Sequence, residues 1–199
     1  MALKPYSKKS FVKSGDTTLA TYSYIEALTG KGVMALYLHN GVNNVTYYWD
    51  LVVTPQHSTI NSTAALTNGF DYDFDITIGA PLIVEGQPRL DFTYQDHGGA
   101  TSGTCTLTTK IYHVRGATET EISAGQVNSS SSTGAWATYR INNHMSTITK
   151  TTFIKGDKIR LNFTGVVTGT LTFRINTDPL SMGATDNASI LYLPVNIQQ

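Results

Sequence analysis

Charge is scarce in this chain. Asp, Glu, Lys and Arg make up 14% of its 199 residues, against about 25% in ordinary soluble domains. The 14 basic side chains cancel the 14 acidic ones. A chain without excess charge exerts little long-range pull on nucleic acid or anionic membranes, so neither is expected as a partner. Zero net charge also favours association, which points toward assembly. Cysteine is almost missing: Cys105 stands alone, so no disulfide can form within the chain and zinc-finger spacing is excluded. Cys105 lies in the alternating run Thr104-Cys105-Thr106-Leu107-Thr108 with no adjoining cation, and it reads as a small buried thiol, not a nucleophile. No apolar run approaches the ~20 residues of a membrane-spanning helix. The opening MALKPYSKKSFVKSG has lysines but no apolar stretch, so it does not read as a signal peptide. The N-x-S/T triplets at Asn44, Asn61, Asn128, Asn162 and Asn187 are expected by chance in a chain this rich in Asn, Ser and Thr.

What is present is alternation. In Phe70-Asp71-Tyr72-Asp73-Phe74-Asp75-Ile76-Thr77-Ile78 the apolar residues fall on one face of a strand and the aspartates on the other, a pattern no helix reproduces. The same period runs through Val45 to Val53, Ile159 to Phe163, Leu171 to Ile175 and Leu191 to Ile197. Less regular strands are expected over 18–28, 32–39, 58–63, 82–85, 89–95, 104–114, 135–141 and 147–153. Turn chemistry marks Thr29 to Gly32, His39-Asn40-Gly41, Asn68-Gly69, Gly86 to Pro88 and Lys155-Gly156-Asp157. Gly165 to Gly169 reads as a hairpin, and Gln126 to Gly134 as an exposed loop. The expected fold is an all-β antiparallel sandwich, most simply a jelly roll of about 8–10 strands. Residues 1–16 form a basic arm carrying Lys4, Lys8, Lys9 and Lys13, and residues 17–199 a single domain.

No residue pattern asks for catalysis, a cofactor or a metal. Asp71, Asp73 and Asp75 on one strand face lie about 6.6–6.8 Å apart and diverge, so they suit a solvated face opposite Lys or Arg better than an ion. His39, His57, His97, His113 and His144 are scattered, with no H-x-H or H-x-x-x-H pair. Asp96-His97-Gly98-Gly99 has the ingredients of an oriented base, but neighbours on an extended chain point oppositely, and a polar loop tip is the plainer reading. There is no G-x-S-x-G elbow and no P-loop. Only four glutamates, Glu26, Glu85, Glu119 and Glu121, are available to a glycosidase-like carboxylate pair. Tyr47 and Trp49 are expected inward and Tyr48 outward. Trp136 is opposite in parity to Ala135, Ala137 and Tyr139, so one of the two sets is expected exposed. Exposed aromatics would mark either a glycan face or a subunit interface, and the low charge favours the interface.

The segment Phe153-Ile154-Lys155-Gly156-Asp157-Lys158-Ile159-Arg160-Leu161, a Gly-Asp turn launching a strand, resembles the penultimate region of trimeric jelly rolls of the tumour-necrosis-factor and complement-head type. The closing run Ser189 to Ile197, and the opening Met1-Ala2-Leu3-Lys4-Pro5-Tyr6-Ser7, are similar to small virion proteins of tailed bacteriophages. The resemblance implies a non-enzymatic virion protein. It would decorate a capsid or sit at a vertex, assemble with itself as a homotrimer, and use Lys4, Lys8, Lys9 and Lys13 to dock on the major capsid or another virion protein. The rival expectation is a carbohydrate- or receptor-binding module using loops at Asn40–Asn44 and Asp96–Gly103.

Overall fold

Period-two alternation becomes strand after strand in the computed structural model, which describes residues 9–12, 18–22, 31–43, 46–55, 69–97, 103–130, 137–169, 172–177 and 189–196. Among these residues there are fourteen strands and no helix. In chain order they are β1 (Lys9–Val12), β2 (Thr18–Tyr22), β3 (Lys31–Asn43), β4 (Thr46–Val52), β5 (Phe70–Thr77), β6 (Leu82–Gly86) and β7 (Arg89–His97). There follow β8 (Thr104–Arg115), β9 (Thr118–Ser130), β10 (Ala137–His144), β11 (Ile148–Phe153), β12 (Lys158–Val167), β13 (Thr172–Ile175) and β14 (Ile190–Asn196).

The hydrogen-bonded path runs β10-β7-β14-β3-β4-β5-β12-β8-β9, with β1–β2 attached through β3, β11–β6 through β14, and β13 through β7. Among the described pairings only β4 with β5 is parallel, at Asp50 opposite Asp75. The two ends of the path are drawn together by Ser146, just beyond β10. Its N–H donates to Ala124 O (2.8 Å), its Oγ accepts from Ala124 N (2.9 Å), and its carbonyl accepts from Ser123 Oγ (2.6 Å). The result is a mixed all-β sheet of nearly barrel shape. Ser189 closes the gap where β13 ends and β14 begins beside β7: its buried hydroxyl accepts from Thr93 N (3.2 Å) and donates to Asn176 O (2.7 Å).

Inward side chains make one continuous core. Phe163 on β12 stands edge-on to Phe74 on β5 at 5.8 Å and to Phe92 on β7 at 5.7 Å, and all three are fully buried. Trp49 faces inward as expected, against Tyr72 (5.0 Å) and Phe74 (5.6 Å). Cys105 is buried within this core.

Several expectations are corrected. Gly165 to Gly169 is no hairpin: β12 continues to Val167, opposite Cys105 of β8, and β13 pairs with β7 instead. His39, Asn40 and Gly41 do not turn the chain but lie within β3, opposite Asp50, Trp49 and Tyr48 of β4. The stretch 126–130, expected as loop, belongs to β9, whose 13 residues carry no apolar alternation to mark them as strand. Pairing with β8 from Arg115–Thr118 to Thr104–Ser130 specifies β9 instead. Lys9–Val12 of the basic arm form β1, which pairs with β2 beyond the arm. The expected strand at 58–63 lies outside the described residues.

Gly165 faces the core where the Phe70 ring occupies the space a Cβ would need. Gly165→Ala is expected to destabilise the protein by ~1–3 kcal/mol through overpacking, whereas Val166→Ala, at a 56% exposed neighbour, should change stability by less than about 0.5 kcal/mol. Urea unfolding of the two variants checks the contrast.

Candidate functional site

Strand register lines up polar side chains in rows across the outer face. One row passes from His39 through Asp50, Asp75, Arg160 and Tyr112 to Glu121, crossing β3, β4, β5, β12, β8 and β9. Arg160 grips Asp75 with two parallel bonds, Nε to Oδ1 at 2.7 Å and Nη2 to Oδ2 at 2.9 Å, while Nη1 reaches Asp73 (2.9 Å) and Glu119 (2.6 Å). Asn162 Nδ2 donates to Asp71 (2.5 Å) and Asp73 (2.7 Å). Burial pushes the Asp75 carboxyl up, but Arg160 and Lys158 together hold it below the usual carboxylate range. Asp50 is raised, chiefly by burial, with His39 offsetting part of that and Asp75 adding to it. The three aspartates therefore face basic and amide neighbours across the strands, as their spacing predicts. Among the described residues no group of three or more His, Cys, Asp or Glu side chains is placed to hold a metal ion.

A second cluster pins the turn that launches β12. Ile154 to Asp157 closes with Asp157 N donating to Ile154 O (3.1 Å), and Gly156 takes φ +95°, which the turn requires and an L side chain resists. The buried Asp157 carboxylate accepts from Arg115 Nε (3.0 Å), Arg115 Nη2 (2.8 Å) and Ile154 N (2.9 Å), and pairs with His113 Nε2 (2.7 Å). Those bonds, Arg115 first among them, hold its pKa far below the ordinary aspartate value. The His113 ring lies 4.3 Å from Phe153. This Asp–His contact braces a loop: the carboxylate is committed to Arg115 and the turn.

The third feature is a groove of about 420 Å³ on the outer face of β3, β14 and β7, lined by Val33, Gln87, Arg89, His144, Tyr192 and Pro194. Register makes it: Ala35, Tyr192, Arg89 and His144 stand in one row across β3, β14, β7 and β10. The Arg89 guanidinium lies 4.3 Å above the Tyr192 ring. Asp91 holds Arg89 at 3.3 Å and Arg140 at 3.7 Å. Gln87 Nε2 donates to Met145 O (3.1 Å). None of these lining residues except His144 stood out in the sequence. Alternation in Arg89-Leu90-Asp91-Phe92 and Leu191-Tyr192-Leu193 gives their outward direction, but nothing local tells that β7 and β14 are neighbours.

The remaining sequence candidates are dispersed. His97 ends β7 opposite Thr172, not at a loop tip. The supposed sugar loops are partly strand, Asn40 to Asn43 in β3 and Asp96 in β7. Lys9 opens β1, while Lys4, Lys8, Lys13, His57 and Trp136 lie outside the described residues.

A carboxylate whose folded pKa is depressed stabilises the fold above its unfolded value of about 3.9, and loses that contribution as pH falls toward the folded value. Asp157→Asn is therefore expected to lower the urea midpoint at pH 7, with variant and parent converging as the pH drops below about 4. A constant gap across that range would remove Asp157 from the account.

No family model matches this chain, and no curated protein matches it. Among solved structures its fold is similar to a CocE/NonD family hydrolase from Staphylococcus aureus, at 12% identity and TM-score 0.53 over 83% of this chain and 37% of that one. A second structure of that hydrolase gives 13% and 0.56 over 83% and 36%. An alpha-amino acid ester hydrolase aligns at 10% identity and TM-score 0.55 over 82% and 36%. The chain thus spans little more than a third of the length of these hydrolases, and the likeness is one of fold.

Proposed function

We propose that this chain is a non-enzymatic structural subunit of a virion, a jelly-roll β-sandwich that assembles with itself, as a trimer, and decorates a capsid or vertex. The observation that carries the reading is how the ionic groups are used. Asp75 with Arg160, and Asp157 with Arg115 and His113, meet to brace strands and turns rather than to converge on a cleft. A β-domain with so little surface charge repels its own copies weakly, which favours packing into a shell. The Gly-Asp turn that resembles trimeric jelly-roll heads is present and rigidly held. Docking to the major capsid or another virion protein falls to the lysines of the N-terminal segment, Lys4, Lys8, Lys9 and Lys13.

A second reading, a carbohydrate- or receptor-binding module, is favoured by the Arg89–Tyr192 groove. The two are separable. Multi-angle light scattering should return three times the mass of one chain, and mixing with purified undecorated virions should sediment the protein with them. A monomer at micromolar concentration that stays in the supernatant would remove the structural reading.

A further inference from the structure

The two outer faces treat their arginines differently. On the β5–β12 face Arg160 meets three carboxylates, Asp73, Asp75 and Glu119, at 2.6 to 2.9 Å. On the β7–β14 face two arginines share one. Arg89 stands 3.3 Å and Arg140 3.7 Å from Asp91, both longer than the ~2.7–2.9 Å of a well-made charged hydrogen bond. At Asp91 two cations thus meet one carboxylate; the next carboxylate, Glu85 on β6 beside Pro194, is held by Asn196 Nδ2 at 2.6 Å. Asp91 Oδ1 is buried with no hydrogen-bond partner among the described residues, so even the carboxylate that the arginines share is incompletely engaged there.

Beside the arginines lies the groove. Tyr192 supports the Arg89 guanidinium from below, Val33 and Pro194 form an apolar wall with Val33 42% exposed, and His144 stands at the rim. Gln87 already donates its Nε2 to Met145 O, which fixes the amide and leaves Oε1 as an acceptor. The volume of about 420 Å³ falls in the ~300–1,000 Å³ range of small-ligand clefts. A protein partner would need about 800 Å² of surface on each side. Strand addition by a peptide is excluded in this row, because β14 is paired on both sides, with β3 and β7, and β7 with β14 and β10.

We propose that this groove binds a sugar bearing a carboxylate: the acid on Arg89, the apolar ring face along Val33 and Pro194, and a hydroxyl on Gln87 Oε1. The inference rests on the binding reading above and gives it a chemistry. A ligand carboxylate offers the exposed end of the Arg89 guanidinium a close charged partner, where Asp91 gives it a single contact at 3.3 Å, and the C–H face of a saccharide matches the flat apolar wall.

The test is titration of the whole chain with trigalacturonate and with sialyllactose, two sources of the same chemistry, against galactotriose and lactose. One acidic sugar is expected to bind saturably, at least about tenfold tighter than its neutral counterpart, and Arg89→Ala should weaken it by about tenfold or more. Arg89→Lys, which keeps the charge but not the fork, should also weaken it. Val33→Asp places a like charge on the exposed wall and should abolish binding without touching Arg89, so it decides the matter if Arg89→Ala does not fold. Lys110→Ala, at an ion pair with Glu121 on the opposite face, should leave binding unchanged. Equal affinity for neutral sugars, or binding unaffected by Arg89→Ala and Val33→Asp, overturns the site while keeping the binding reading. No binding of any sugar overturns both.

Discussion

Phe163 is the point at which the two arms of the sheet are held in register. Its ring meets Phe74 on the neighbouring strand and Phe92 across the core at nearly equal distances, in edge-to-face contacts. Because side chains alternate along a strand, fixing one inward ring fixes the direction of every other side chain on β12. Ile159 and Leu161 must follow Phe163 inward, and Arg160 and Asn162 must stand outward. A slip of one residue would bury Arg160 and expose Phe163. The outer ionic rows are thus a consequence of the core register.

That dependence explains why the polar clusters of this protein are arranged as rows and braces. Arg160 serves Asp75 and Asp73 because they stand opposite and diagonal to it on β5, and its length carries it past β8 to Glu119 on β9. Asp157 is different: it belongs to a turn, and its bonds to Arg115, His113 and Ile154 secure the corner where β12 begins. Each arrangement restrains strands that are distant in sequence, the first across a sheet face and the second at its end. The groove at Arg89 departs from this economy, since Arg89 and Arg140 share the single carboxylate of Asp91.

Polar residues also replace apolar ones where the path nearly closes. Ser123 is buried on β9, and its hydroxyl is satisfied by the Ser146 carbonyl. Ser189 plays the same part between β13 and β14. Hydrogen-bonded serines let backbone approach backbone more closely than leucines would, and they leave no donor stranded where two strands part company.

Alternation in Phe70 to Ile78, in Leu191 to Val195 and in Ile159 to Phe163 determined from sequence alone that these stretches are strands, which of their residues face inward, and that the aspartates of β5 share the outer face. It did so because period two is a local property, written in each strand without reference to any other. Only the tertiary structure decided that β4 runs parallel to β5, that β13 leaves β12 for β7, and that polar β9 is a strand, since these follow from partners far away in the chain. The groove belongs to the same class: Arg89 and Tyr192 are 103 positions apart in numbering, and they meet only because β7 and β14 pair.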